Sequence, residues 1–340
     1  MPKGWRFYHG AYYYRVPAAA RHLWDHKAQF RLGTTLAEAH TTYGKRAGEP
    51  TDKIRTVGDL LDRYALKVVP MYQTPTTRTN KAFHLKKLRS VFAAVPIAGF
   101  KPAYVYKYVE ARGKRRVSAH REIETLSHAF TKLVEWGEID RHPFKGEVRL
   151  EGEPSRTRYI EDWEIVEMLA LPAVRKKGSV LAIQAYIRLK LLTGLARSDL
   201  LRLRAGEHLR DDGIHVTRHK TATTTGKTTI YEYAAVPERR EAVEQARAVR
   251  QVLSPFLFCK RDGKGYFNEE TGECHGWDSM WQHFVERVLE RGTITKRFTE
   301  HDLRAKVGSD AASLEKARAL LQHADSRTTA RVYRRKPERV

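Results

Sequence analysis

Cysteine is nearly absent from this sequence of 340 residues, where Cys259 and Cys274 are the only two. Two cysteines build no disulfide framework, which excludes the small stapled secreted scaffolds and points to a reducing compartment. Cys274-His275 has no second pair at ligand spacing, so a structural role is expected for it and no metal is assigned. Long apolar runs are missing as well, along with any signal-peptide or lipidation pattern, so no membrane partner is expected. The third shortage is acid. Against 63 Lys and Arg stand 40 Asp and Glu, a formal charge of +23 that exceeds what solubility needs and implies a polyanionic partner, nucleic acid first. What is present is ample for folding: 41% hydrophobic residues supply cores, and the length suggests two or three domains.

The first stretch alternates in the manner of strands, at Trp5-Arg6-Phe7-Tyr8, Tyr12-Tyr13-Tyr14-Arg15-Val16 and Ala28-Gln29-Phe30-Arg31-Leu32. A break at Gly33-Thr34-Thr35 precedes a short helix, Leu36-Ala37-Glu38-Ala39-His40. Such a sheet, carrying Arg6, Arg15 and Arg31 among its aromatics, could lay strands in a DNA groove. The plainer alternative is a structural cap whose aromatics form its own core. Residues 44–50 have linker composition, and helical patterns follow from Thr56, over 77–92, 102–111 and 118–136, closing near His142-Pro143-Phe144. Arg78, Lys81, Lys86 and Lys87 lie on the second of these helices. Arg115, Arg116, His120 and Arg121 surround the start of the fourth, where backbone donors add to side-chain charge, so both groups are candidate DNA contacts.

A polar boundary at 146–158 opens the last segment. Helices are expected at 162–170, at 180–192 with apolar residues nearly all round, at 238–252 and at 277–291, with two strands at 214–217 and 229–233. Ser198 is the expected cap of a short helix that leaves Arg197 at its N-terminal edge, where an anion is favoured. His301 and Arg304 stand three apart and share a helix face, so both can reach one small anion. After Leu321-Gln322-His323, a Thr328-Thr329 pair is expected to start a helix that turns Tyr333 back toward the same place. Singly, Tyr333 reads as a helix aromatic, His323 as a C-terminal cap, Arg197 as a partner of Asp199. Jointly they look like a nucleophile facing an anion clamp.

Three stretches in order give this cluster a family. Leu192-Thr193-Gly194-Leu195-Ala196-Arg197-Ser198-Asp199-Leu200-Leu201, Gly213-Ile214-His215-Val216-Thr217-Arg218-His219-Lys220-Thr221 and His301-Asp302-Leu303-Arg304 precede His323 and Tyr333 in the order of the tyrosine recombinases of the phage integrase type. The chain resembles that family strongly over 155–340 and more loosely upstream. The resemblance implies a multidomain fold, mainly α with small β elements: an arm-site DNA-binding-like domain of three strands and a helix at 1–49, a helical core-binding domain at 56–146, and a mixed α+β catalytic domain at 155–340.

It also implies an activity: a phage or prophage integrase that cleaves and rejoins DNA through a covalent 3′-phosphotyrosine, integrating or excising a mobile element. In that reading Tyr333 attacks and Arg197 with Arg304 clamp the phosphate. Lys220 protonates the leaving oxygen, His301 handles the tyrosine proton, and His323 bonds the phosphate. No cofactor is needed. The implied partners are double-stranded attachment-site DNA, three further copies in a homotetramer, a DNA-bending accessory protein and an excisionase, in the cytoplasm of a bacterial host. Two departures stand out. Gln322 occupies the family's usual glycine, and a long hairpin tip, Ala222 to Lys227, makes Lys227 a rival to Lys220. A relaxing enzyme of the type IB topoisomerase kind and a non-catalytic DNA-binding protein are the alternatives.

Overall fold

The structure is a computed structural model that describes residues 1–2, 4–47, 54–152, 156–174, 178–222 and 226–336. Its chain divides into two compact units, Met1–Glu153 and Pro154–Val340.

In the first unit, β1 (Trp5–Tyr8), β2 (Ala11–Arg15) and β3 (Gln29–Gly33) form an antiparallel sheet in chain order. Register sorts its faces, because directly paired residues point the same way. Trp5, Tyr14 and Phe30 pair across the strands on the side that buries Trp24 and Leu32. Arg6, Tyr13 and Arg31 pair on the opposite, exposed side, and Arg15, two residues beyond Tyr13, joins them. The expected basic stripe therefore occupies one solvent face.

Helix α1 (Leu36–Ala47) starts where Glu38 accepts from the Thr34 and Thr35 amides, and runs well past His40. The expected linker thus begins later than Gly44. Tyr43 packs on Trp5, Tyr14 and Trp24, and Arg46 lies 4.4 Å over the Phe30 ring, so tertiary contacts extend the helix through polar sequence. Residues 48–50 of that linker lie outside the described residues.

Four helices follow: α2 (Val57–Lys67), α3 (Pro75–Phe92), α4 (Pro102–Ala111) and α5 (Arg116–Glu135). A reciprocal Thr56 and Asp59 cap starts α2. Leu60, Leu61, Tyr64, Leu88, Phe92, Phe100, Leu126 and Phe130 fill the centre of this unit's larger core, and Phe144 closes it. Among its basic residues Arg78, Lys86, Arg115, Arg116 and Arg121 are exposed. Lys81 turns inward, donating to Thr125 Oγ1 at 3.0 Å, which makes it a strut between α3 and α5. Arg112, beside the basic run, forks onto the buried Glu122.

The second unit is built on α7 (Ser179–Thr193), which packs against α9 (Glu238–Ala248), α10 (His275–Arg291) and α11 (Glu300–Asp310). Its apolar sequence predicts burial all round, and Ile183, Tyr186, Ile187 and Leu189 are fully buried. Helix α6 (Asp162–Ala170) precedes α7, and α8 (Arg197–Leu201) follows Gly194, whose φ of 67° ends α7 in the left-handed region. Strands β4 (Gly213–Thr217) and β5 (Thr228–Glu232) pair antiparallel, and the tip residues 223–225 lie outside the described residues. Helix α12 (Leu314–Leu320) and the short α13 (Ser326–Thr328) lead into a π-helical turn, Thr329–Tyr333. No described helix is long and apolar enough to cross a membrane.

Two expected caps move. Ala196, not Ser198, is the N-cap of α8, and it makes no side-chain cap bond. Asp325 caps α13 by accepting from the Arg327 amide at 2.8 Å, so the Thr328-Thr329 pair does not start that helix. A carboxylate is the better anionic cap, which leaves Thr329 for another bond.

Candidate active site

Helix α11 sets the site. Thr299 and Asp302 cap it reciprocally, and every residue from Asp302 to Ser309 is buried, so its rotation about its own axis is fixed. That places His301 and Arg304 side by side toward the π-helical turn. Tyr333 comes to meet them: its hydroxyl lies 3.0 Å from His301 Nε2, and its ring centroid stands 5.0 Å from the His301 ring and 4.8 Å from that of His323. The Arg304 guanidinium lies 5.6 Å from the Tyr333 ring centroid. Four of the sequence-assigned residues therefore form one cluster.

Arg304 is 5% exposed and has no carboxylate partner among the described residues. Its guanidinium donates to the carbonyls of Gly194 and Leu321, and at 3.4 Å to His323 Nε2. The end of α7, the end of α12 and the histidine thus share one cation. Burial, then the positive charge of Arg304 and of Arg218, push the His323 pKa down to about 4. His323 is neutral at pH 7. With Nε2 accepting from Arg304, the ring proton sits on Nδ1, which donates to Thr329 Oγ1 at 2.9 Å; the same hydroxyl can donate to a bare Nδ1 once the Arg304 contact is given up.

His301, though part of it stays exposed, also titrates low, at about 4, through partial desolvation of its ring and then the Arg335 guanidinium. Arg335 was not singled out by the sequence, yet it ties the segment after Tyr333 to the rest of the site. Nη1 pairs with the buried Asp302 at 2.7 Å, Nε donates to the Val332 carbonyl at 2.8 Å, and Nη2 approaches His301 Nδ1 at 3.3 Å. With Nδ1 accepting, the neutral His301 ring carries its proton on Nε2 and donates to the tyrosine oxygen. Ser309 Oγ adds a staple, donating to the Tyr333 carbonyl at 2.8 Å and accepting from the Arg335 amide at 2.7 Å. No short sequence offset signals Arg335, because its side-chain partners, Asp302 and His301, are 33 and 34 residues away.

The other two assigned residues stand apart. Arg197, at the start of α8, bonds Asp278 and lies 3.9 Å from Glu300, a carboxylate that also accepts from Tyr186 and, at 3.3 Å, from Trp277 Nε1. Among the described residues it bonds no member of the Tyr333 cluster. Asp199 does not hold it either. This buried carboxylate accepts from the His219 amide at 3.0 Å, fixing the turn that carries Lys220 against α8. Lys220 itself is exposed on a 3-10 turn just past β4, and Lys227 is exposed just before β5. Arg218, between them and the cluster, donates to the Gln322 carbonyl at 3.0 Å.

No family model and no curated protein sequence matches this chain. Solved structures do match. A lambda integrase dimer bound to a COC′ core site aligns with a TM-score of 0.67 at 16% identity, over 100% of this chain and 98% of that one. A lambda integrase tetramer bound to a Holliday junction aligns with a TM-score of 0.67 at 17% identity, over 99% and 97%. The Tn1549 transposon integrase in complex with a circular intermediate DNA aligns with a TM-score of 0.62 at 16% identity, over 81% and 94%. The chain has the fold of these integrases, mainly helical with small sheets, as the sequence resemblance implies.

Proposed function

We propose that this chain is a tyrosine-type site-specific recombinase, a phage or prophage integrase acting on attachment-site DNA as a homotetramer. The observation that carries this is the Tyr333 hydroxyl 3.0 Å from His301, beside the buried Arg304 and His323, on a fold shared with DNA-bound integrases. A tyrosine is almost wholly protonated at pH 7, so it needs a proton acceptor and a stabilised product charge. The Tyr333 oxygen attacks phosphorus while the bond from phosphorus to the 5′ oxygen breaks. The tyrosine proton goes to His301 Nε2 once the ring has moved its own proton to Nδ1 and given up the 3.3 Å Arg335 contact. Arg304 turns from His323 Nε2 to the non-bridging oxygens, and His323, with its proton moved to Nε2 and its Nδ1 accepting from Thr329 Oγ1, donates to them as their charge grows.

Lys220 supplies a proton to the departing 5′ oxygen. Arg197 can face the phosphate only by exchanging Asp278 for it. The 3′-phosphotyrosine keeps the ester's energy, so a free 5′ hydroxyl of another strand reverses the step and rejoins DNA. Residues 1–49 serve as an arm-site domain, 56–146 as a core-binding domain and 155–340 as the catalytic domain. A DNA-bending protein and an excisionase complete the assembly.

Nicked duplexes tiled across the DNA that flanks the coding sequence test the reading. Wild-type protein should be trapped as a covalent adduct on one of them, with or without EDTA. Tyr333→Phe should form none while binding the same duplex as wild type does, because only the nucleophilic oxygen is lost. An adduct formed by the Phe variant would remove Tyr333 from the mechanism.

A further inference from the structure

Two guanidinium groups converge on one turn. Arg304 donates to the Leu321 carbonyl and Arg218 to the next one, that of Gln322, so they flank the backbone that presents His323. Neither the buried Arg304 nor the half-buried Arg218 has a carboxylate partner among the described residues, which for Arg304 is unusual. Arg218 also keeps a donor in reserve: its Nε is buried and makes no hydrogen bond among the described residues. An orphaned buried donor is costly unless something occupies it in the working state. The contrast with Arg197 is sharp, since that side chain already has Asp278 and the nearby Glu300 to neutralise it.

We propose, resting on the cleavage reading above, that Arg218 is the second phosphate-facing guanidinium of this site and fills the clamp position that the sequence resemblance gives to Arg197. Arg304 and Arg218 each donate to a non-bridging oxygen of the scissile phosphate, on either side of His323. The positive charge that both impose on His323 agrees with this placement. An anion entering between them relieves their mutual repulsion, so the site gains most when the phosphate carries its transition-state charge. Arg218 is a catalytic residue on this account, two positions before Lys220 on the same segment.

The test uses full-length protein and a nicked duplex on which wild type forms its adduct, made once with the natural phosphate and once with a methylphosphonate at the cleavage position. The methylphosphonate is neutral and has one non-bridging oxygen fewer to clamp. Arg218→Ala should lose roughly 100-fold in adduct formation on the phosphate, the usual effect of removing one such donor. On the methylphosphonate it should match wild type. Arg197→Ala should lose less on the phosphate than Arg218→Ala. Arg218→Lys keeps charge and fold, and should show a smaller phosphate-specific loss. Equal losses on both substrates in the Ala and Lys variants, or full activity of Arg218→Ala, would overturn the assignment. An adduct from Tyr333→Phe would instead strike the cleavage reading itself.

Discussion

Gln322 adopts φ 51°, a left-handed conformation that favours glycine. It is held there from two sides: its carbonyl accepts from Arg218, and its Nε2 donates to the Val216 carbonyl at 3.3 Å. Strain of roughly 1–2 kcal/mol is typical for a side chain in this region. Gln322→Gly should therefore change stability by less than about 1 kcal/mol, since relief of strain is offset by a more flexible unfolded chain and a lost bond. Gln322→Val should cost about 1–2 kcal/mol or more, because a β-branched side chain fits this backbone worst. Thermal denaturation compares them, and a Gly variant less stable than the Val variant would contradict the account. At this scale the site was partly legible. His301, Arg304, His323 and Tyr333 sit at short offsets on a helix, a turn and a following turn, so local geometry brings them together. Arg218 and Arg335 acquire their places from partners far off in the chain, which no spacing encodes, while Thr329, six residues past His323, is freed for its bond only because Asp325 takes the cap. The departure at Gln322 was visible as a departure, but only the backbone angle gives it a physical meaning.

Strands and long helices were read closely, because their periodic burial is written residue by residue. β4 and β5 stand within one residue of expectation, and α6 matches it. Ends were read less well. α1 overruns because Tyr43 and Arg46 find aromatic partners, and α9 stops at Ala248, before the expected 252, where Arg250 turns to donate to the Ser254 carbonyl at 2.7 Å. In the proposed mechanism the hairpin is the element on which the leaving-group chemistry depends. Asp199 holds the His219 amide, so Lys220 sits on an anchored turn, whereas Lys227 follows the tip. Lys220→Ala should accordingly cleave an ordinary ester slowly and recover on a 5′-bridging phosphorothiolate, whose sulfur leaves without an acid. Single-turnover rates on the two esters decide it. Rescue confined to Lys227→Ala would move the acid to the other lysine.

For the molecule as a whole, the excess of basic residues has a located part. Arg6, Arg15 and Arg31 share the solvent face of the N-terminal sheet, opposite the side that packs α1. If that face holds arm-site DNA, replacing all three with Ala should flatten the salt dependence of binding to a full attachment site by up to about 3 log-log units. Binding to a core-only duplex should keep its slope. Gel shifts at several salt concentrations measure both, and identical slopes for variant and wild type on the full site would return the sheet to the role of a structural cap. The staple behind Tyr333 bears on the assembly as well. Ser309 Oγ grips the Tyr333 carbonyl and the Arg335 amide, and Arg335 is locked to the buried Asp302 of the same chain. In the proposed mechanism each protomer would use the tyrosine seated against its own histidine, so cleavage should be first order in bound protomers and independent of a tyrosine lent by another copy.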